Sequence, residues 1–346
     1  MGISRQQKEI KITISVIAEL DAQFIKKRPG RAVSRVVSHF LFQGRPATTR
    51  ARWLNPLIFQ VLRTGARTPQ LRRVRRPIFI VGTGRSGTTV LGTVLSLHPQ
   101  VGFLNEPKAL WHEIYPYEDV IGSYSRGRAH YRLDASQVSD EIIERAHRVY
   151  GFYLWLTRSG RVVDKYPEMI FRIPFVRAIF PEARFVFIVR NGWDTTRSID
   201  RWSDRAGENI GDELHDWWGI DSRKWHCLVD DIAAKHPTLA NHVDDLHAID
   251  RHIDRAALEW ALTMEEGRKH LNSKDPLFHL VRYEELTRCP RETLTRLLAF
   301  ADLSQDEAVL RYGEKTLAPV PARDKVFLNP LVAPLFKKMM REYQYE

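Results

Sequence analysis

The stretch VGTGRSGTTVLG, residues 81–92, decides the fold. It nearly matches the Walker loop G-x-x-x-x-G-K-[ST], whose backbone amides surround a phosphate and whose lysine reaches the outer phosphates of a nucleotide. Gly82 and Gly87 keep the spacing, but Thr88 stands where the lysine belongs, and Arg85 lies inside the loop instead. The stretch therefore predicts an anion site at the start of a helix, with a fixed positive charge but without the lysine used in triphosphate chemistry.

Short apolar runs around this loop predict a parallel sheet. RPIFIVGTG, from Arg76, indicates a buried strand that enters the loop, and a helical pattern follows up to His98-Pro99. Four further runs predict strands: QVGFL, RVVDK at 161–165, ARFVFIVR at 183–190 and PLFHLVRY at 276–283. Because helical stretches separate them, we expect an α/β three-layer sandwich with a central parallel sheet. Ligands of such sheets bind beyond the carboxyl ends of the strands, where 82–89 and 190–198 both fall.

Charge divides the chain of 346 residues, whose net charge is +11. Residues 1–76 hold 17 Lys and Arg against three acidic residues, a balance of +14, so the remainder sums to −3. We therefore predict a basic N-terminal extension, 1–76, before a main domain, 77–346. Within that domain, about 203–252 is polar and rich in His and Asp, which indicates an insertion that shapes the substrate site.

Two interpretations of the basic extension stay open. It can attach the protein to an anionic membrane or polyanion, or it can be a solvated arm or a set of helices packed with their arginines outward. We expect no nucleic-acid role, since no binding motif accompanies the charge. No apolar run approaches the ~18 residues of a spanning helix, and ITISVIAELDAQFI lacks a cleavage site. The expected location is cytoplasmic, with peripheral contact at the inner face of the membrane.

The loop and a second motif together resemble a known family. GTGRSGTT resembles the 5′-phosphosulfate loop of sulfotransferases that use 3′-phosphoadenosine 5′-phosphosulfate (PAPS). FVFIVRNGWDTTRSID is similar to that family's 3′-phosphate site, and Arg190 and Ser198 have its arginine–serine spacing. An arginine suits a phosphate because its guanidinium donates two parallel hydrogen bonds. The resemblance covers roughly 77–202 and 276–303 and implies a P-loop-containing nucleoside triphosphate hydrolase-like sulfotransferase fold.

The same resemblance implies roles for single residues. HPQVGFLNEPK resembles a segment of tyrosylprotein sulfotransferases and places Glu106, 21 residues after Arg85, as general base. VVDKYPEMI implies that Lys165 stabilises the transition state, and VRYEELTRCPRETLTRLLAF implies that Tyr283 approaches the adenine. The predicted catalytic residues are Glu106, Arg85 and Lys165. The predicted PAPS-binding residues are Gly84, Arg85, Ser86, Gly87, Thr88, Thr89, Arg190, Ser198 and Tyr283.

Several assignments stay open from the sequence alone. The late basic residue that closes over the 3′-phosphate is Lys315, Arg323 or Lys325. Asp164 either orients Lys165 or caps the next helix. The neighbouring Trp217 and Trp218 either stack on a sugar or anchor the insertion to the core. Each predicted site residue also has a purely structural interpretation when it is considered alone. Glu106 can be an acid at a helix start, Lys165 a surface lysine, Arg190 a capping or salt-bridge arginine and Tyr283 a core residue.

The predicted activity is metal-free, in-line transfer of a sulfuryl group from PAPS to a hydroxyl, with a carbohydrate or glycolipid acceptor ranked above a peptide. Two alternatives remain. A nucleotide kinase with a degenerate loop would turn over ATP-Mg²⁺, and a non-catalytic binding protein would keep the fold alone. No metal site is expected, because the two cysteines are 62 positions apart and the histidines at 242, 247 and 252 do not share one helix face. The sequence does not fix the oligomeric state.

Overall fold

A five-stranded parallel sheet forms the centre of the structure, a computed structural model that describes residues 20–46, 49, 51–210, 212–321 and 323–346. Elements are numbered along the chain, and the order across the sheet is β2-β3-β1-β4-β8. These strands are β1 Ile78–Gly82, β2 Val101–Asn105, β3 Arg161–Lys165, β4 Arg184–Val189 and β8 Phe278–Arg282. They lie where the five apolar runs predicted them, and every pairing among them is parallel.

Both faces of this sheet are covered, as the apolar runs require. Ile78 and Ile80 point into one hydrophobic core, while Phe79 and Val81 point into another, because successive side chains of a strand alternate. A strand that is buried on both faces has no polar alternation, which explains why the sequence of β1 is continuously apolar. The predicted α/β three-layer sandwich with a central parallel sheet is confirmed.

Helices supply the outer layers. The helix α4, Thr88–Leu95, follows the glycine loop and packs its apolar residues against β1 and β2. The α-helices of the described residues are α1 Ala22–Lys27, α2 Pro29–Leu41, α3 Asn55–Arg67, α4 Thr88–Leu95, α5 Lys108–Ile114, α6 Asp140–Leu156, α7 Ile173–Ile179, α8 Gly192–Ala206, α9 Arg223–Asp231, α10 Val243–His247, α11 His252–Asn272, α12 Tyr283–Arg288, α13 Pro290–Phe300, α14 Glu307–Thr316 and α15 Ala333–Glu342. No described helix is both long enough and apolar enough to span a bilayer.

The described part of the basic extension packs on the domain. Ile58 and Leu62 of α3 are fully buried in the larger core. Some arginines of the extension point inward: Arg35 is 2% exposed and donates to the carbonyl of Phe103 at 2.6 Å. The predictions made on residues 1–19 lie outside the described residues, and the boundary at residue 76 stays a prediction.

The segment predicted as an insertion contains a small antiparallel sheet and two helices. The strands β5 Glu208–Ile210, β6 Glu213–Asp216 and β7 Gly219–Ile220 pair in that order. Trp218, in the turn between β6 and β7, is fully buried, and its indole nitrogen donates to His252 at 2.8 Å. This contact fixes the segment to the start of α11.

Candidate active site

The glycine loop joins the carboxyl end of β1 to the amino end of α4. Gly82 and Gly87 have φ angles of +141° and +93°, which side chains rarely tolerate. A Cβ on Gly87 would lie 2.4 Å from the ring of Tyr283, so the glycine is also required by close packing. Arg85 adopts a left-handed conformation, with φ +68°, at the tip of the loop. Strained backbone of this kind is concentrated at functional sites.

The second motif lies directly beside this loop. Arg190 follows β4, which pairs with β1, and its guanidinium stacks over Tyr283 at 4.4 Å and donates to the carbonyl of Arg85 at 3.3 Å. The Nε of Arg85 donates to the hydroxyl of Ser198, on α8, at 3.2 Å. Four predicted residues, Arg85, Arg190, Ser198 and Tyr283, from three separate segments therefore meet in one place.

Glu106 and Lys165 meet because their strands are neighbours. Asn105 pairs in register with Lys165, so the next residue, Glu106, lies beside the lysine and donates its backbone N–H to the carbonyl of Lys165 at 2.7 Å. The Nζ of Lys165 lies 2.5 Å from Oε1 of Glu106, and the Nζ of Lys108 lies 3.5 Å from Oε2. Glu106 also has a positive φ, +48°. Burial opposes its ionisation, but the two lysines outweigh burial and lower the pKa of the carboxyl.

A cavity of about 350 Å³ collects these groups. Its lining consists of Gly84, Arg85, Gly87, Thr88, Thr89, Val90, Glu106, Lys165, Arg190, Ser198, Trp202 and Trp217. Two predicted binding residues do not line it. The hydroxyl of Ser86 is buried and lies 3.4 Å from that of Thr195, while Tyr283 supports Gly87 and Arg190 from behind.

A smaller cavity of about 160 Å³ adjoins the first, and both are lined by Gly84, Glu106, Trp202 and Trp217. A Cβ on Gly84 would lie 2.5 Å from the indole of Trp217, so this tryptophan packs directly on the glycine loop. Trp218 holds the segment predicted as an insertion to α11, whereas Trp217 lines both cavities, and its stacking on a sugar stays a prediction.

Buried charges behind the smaller cavity were missed by the sequence analysis. The Nζ of Lys224, on α9, lies 3.0 Å from Glu168 and 2.6 Å from Glu259. All three side chains are less than a tenth exposed, and Nε1 of Trp217 donates to the other oxygen of Glu259 at 3.0 Å. Burial opposes the charge on Lys224, but the two carboxylates outweigh it and raise the pKa of the lysine. The three residues are far apart in sequence and belong to no motif, so no sequence signal joins them.

Asp164 has neither of the roles proposed from the sequence. Its Oδ2 accepts hydrogen bonds from Nε1 of Trp111 at 2.9 Å and from the hydroxyl of Tyr150 at 2.5 Å, inside the core. Burial raises its pKa to about 7. Asp164 therefore holds α5 and α6 against β3.

Of the three late basic residues, the structure brings Arg323 to the site. Its backbone N–H donates to Asp194, on α8, at 2.8 Å. Burial is the largest cause that lowers the pKa of Arg323, and the charges of Arg201 and Arg190 lower it further. These three cations therefore lie close to one another. Lys315 is instead exposed on α14, and Lys325 pairs with Glu346 at 3.1 Å.

Two nitrogens in this group of cations lack a partner. Among the described residues, nothing accepts a hydrogen bond from the buried Nε of Arg190 or the buried Nη1 of Arg323. Buried donors are nearly always satisfied in folded proteins, so unpaired guanidinium nitrogens beside one another indicate a site for an anion.

Comparison with known proteins agrees with this geometry. Residues 77–235 match the model of the Sulfotransferase family. This segment, 77–235, belongs to the sulfotransferase family. It is 30% identical over 273 residues to protein-tyrosine sulfotransferase 1 of Danio rerio, an alignment that covers 77% of this chain and 64% of that protein. It is 24% identical over 267 residues to nodulation protein NoeE of Sinorhizobium fredii, covering 71% and 57%. The chain thus spans less than two thirds of the length of these two relatives.

Among solved structures, sulfotransferase STF9 of Mycobacterium avium aligns over 98% of this chain and 95% of its own, with 15% identity and a TM-score of 0.45. The family match includes the glycine loop, Glu106, Lys165 and the Arg190–Ser198 motif, so the residues around the larger cavity lie within the matched segment.

Proposed function

We propose that this protein transfers the sulfuryl group of PAPS to an acceptor hydroxyl. The observation that carries the proposal is the contact between Glu106 and Lys165 in a cavity that Arg85 also lines. One carboxylate and two cations in one place match the two needs of the reaction, which are removal of a proton and stabilisation of a leaving phosphate.

Glu106 accepts the proton of the acceptor hydroxyl. The acceptor oxygen forms a bond to sulfur while the bond between sulfur and the bridging oxygen of PAPS breaks, and the electron pair of that bond leaves with the nucleotide phosphate. Lys165 and Arg85 stabilise the negative charge that develops there, together with the amides of the glycine loop. The lowered pKa of Glu106 keeps the carboxylate ionised at neutral pH, as a base must be.

The residues present fit the nucleotide part of PAPS. Arg190, Ser198 and Arg323 form a polar group beside the loop, and the unpaired nitrogens of the two arginines suit a 3′-phosphate. Tyr283 holds Arg190 from below by stacking on its guanidinium. We therefore assign Arg323 to the late basic position that the sequence left open.

We propose that the acceptor is a carbohydrate or glycolipid and that its reacting ring enters the smaller cavity. Trp202 and Trp217 offer aromatic faces there, and Lys108, Glu168 and Lys224 bring buried charges of both signs. A polyhydroxylated ring has an apolar face and hydroxyls that donate and accept hydrogen bonds, so it can contact both the aromatic side chains and the buried charges.

A tyrosine acceptor is the second candidate. It is favoured by the name of the relative from Danio rerio, a protein-tyrosine sulfotransferase that is 30% identical to this chain. A phenol would also meet Glu106 from the same cavity. The two acceptors are separated by a transfer assay in which labelled PAPS is offered with soluble glycans, glycolipids and tyrosine-containing peptides. Label on peptide alone would overturn the carbohydrate proposal.

The co-substrate is tested first by calorimetric titration with 3′-phosphoadenosine 5′-phosphate, AMP and ATP-Mg²⁺. We expect binding that depends on the 3′-phosphate and weakens in Arg190→Ala. A preference for ATP-Mg²⁺ would favour the nucleotide kinase, and nucleotide binding without transfer to any acceptor would favour the non-catalytic binding protein.

A further inference from the structure

Two valines of the helix α2 point to solvent, whereas several of its polar side chains point into the protein. Val33 is 64% and Val36 is 37% exposed, whereas Ser34, Arg35 and Ser38 are buried. A surface helix normally has the opposite arrangement, with its apolar face on the core. This orientation therefore needs a physical cause.

Buried polar contacts hold α2 in this orientation. Arg35 donates to the carbonyl of Phe103 and lies 4.4 Å from the centre of its ring. Arg31 donates to the carbonyls of Val101 and Thr157, at 3.0 and 2.9 Å. Ser38 lies 2.8 Å from the hydroxyl of Tyr153, within hydrogen-bond distance. Rotating the valines inward would break these bonds and leave buried donors unpaired, so the outward apolar face is built into the fold.

The outward face of α2 continues into a basic groove. The groove has a volume of about 790 Å³ and runs between α2 and the end of α6, where Trp155 is 50% exposed. Its lining consists of Lys27, Arg28, Pro29, Gly30, Arg31, Val33, Ser34, Val37, Pro99, Leu156, Thr157 and Arg158, with four cations and no carboxylate among these residues. Among the described residues, neither the Lys27 ammonium nor the Arg158 guanidinium has an ion-pair partner, and Asp21 is the only acid in residues 20–76 of the sequence.

We propose that this face, made of Val33, Val36 and the adjoining groove, docks the protein on an anionic lipid surface. Exposed aliphatic side chains beside unpaired Lys and Arg are the combination that an interfacial site needs, because apolar groups enter the headgroup region while cations meet the phosphates. An acidic polymer would use the cations but would gain nothing from the exposed valines. A lipid surface therefore explains both the exposed valines and the unpaired cations.

Vesicle co-sedimentation of the full chain tests this proposal. We expect binding to vesicles of phosphatidylcholine with about 30% phosphatidylglycerol, little binding to phosphatidylcholine alone, and weakening at high salt. The double variant Val33→Ser/Val36→Ser should lower the partition coefficient roughly tenfold, since two aliphatic side chains no longer leave water. Lys27→Gln and Arg158→Gln should lower it about fivefold each. Circular dichroism shows whether each variant is folded.

Phe327→Ser is the matched control, because the side chain of Phe327 is 78% exposed and does not belong to this face. The backbone carbonyl of Phe327 accepts a hydrogen bond from Arg251 instead. Its partition coefficient should stay unchanged. Equal binding by the double valine variant would overturn the proposal. So would binding to heparin but not to vesicles, which would assign the groove to a polyanion. A wild-type dimer in solution that the double valine variant converts to a monomer would also overturn it, since a second copy of the chain would then cover the face.

Discussion

Oε1 of Glu106 lies 2.5 Å from Nζ of Lys165, at the point where β2 and β3 end side by side. The candidate base and the candidate leaving-group stabiliser are thus direct partners. Lys165 lowers the pKa of the Glu106 carboxyl, so replacing the lysine affects both proton transfer and the departure of the leaving group.

Glu106→Gln should lower kcat by roughly 10²–10⁴-fold, since the amide cannot accept the acceptor proton. The affinity for 3′-phosphoadenosine 5′-phosphate should stay nearly the same, because the variant keeps the size of the side chain. Glu113→Gln is the control, as Glu113 lies on α5 near Arg63 and should be dispensable for transfer. Calorimetry and a transfer assay measure the two quantities, and equal loss of both in the Glu106 variant would contradict its role as base.

Lys165→Met should reduce kcat by about 10²–10³-fold through lost charge stabilisation. It should also change the pH profile. Burial raises the pKa of Glu106 and Lys165 opposes it, so without the lysine this pKa rises above its wild-type position and the acid limb of kcat/KM should move to higher pH. Lys165→Arg keeps the charge and should keep the position of that limb. An unchanged limb in the methionine variant would show that another group controls it.

Arg190→Ala and Arg323→Ala should each weaken binding of 3′-phosphoadenosine 5′-phosphate by about 10–100-fold, the usual effect of losing a hydrogen bond to a charged group. Binding of AMP should change little, because AMP lacks the 3′-phosphate. Lys315→Ala is the control, since Lys315 is exposed on α14. A parallel loss of AMP binding would mean that the arginines support the loop instead.

Lys224→Met should destabilise the fold by about 3–5 kcal/mol at pH 7, because two buried carboxylates lose their shared cation. The loss should shrink at low pH, because Lys224 outweighs burial and lowers the pKa of Glu168 in the wild type only. Lys235→Met, at an exposed position, should have little effect. Urea unfolding at several pH values measures this, and a loss that does not depend on pH would point to packing alone.

Asp164→Asn should raise the thermal midpoint at pH 8 by about 1–2 °C for each kcal/mol recovered, because the unfolding entropy grows with chain length. Burial raises the pKa of Asp164 to about 7 in the folded state, so the folded state binds this proton more tightly than the unfolded one. The associated stability is present at acid pH and is lost as pH rises through 7. Asparagine still accepts from Trp111 and Tyr150 but does not ionise. Melting curves at pH 5 and pH 8 should therefore differ less in the variant than in the wild type.

The sequence predicted the frame of the molecule better than its side-chain contacts. All five strands of the central sheet could be recognised, because strands buried on both faces are continuously apolar. The register that brings Glu106 to Lys165 could not be derived from the residues, and only a family resemblance connected them. Arg35 is expected to be a solvated charge in a basic segment, yet it is buried, and the backbone carbonyl of Phe103 within β2 accepts a hydrogen bond from it. The choice of Arg323 over Lys315 and Lys325 depends on contacts with α8 that no local pattern encodes.

Trp217 packs on Gly84 and forms a wall of both cavities. An inhibitor that joins an adenosine 3′,5′-bisphosphate to an acceptor analogue would have a tether that passes the indole of Trp217. The shortest tether that binds therefore depends on this one side chain. Such a compound would gain affinity from the effective concentration of its second half, and Trp217→Ala would widen the range of tethers that bind.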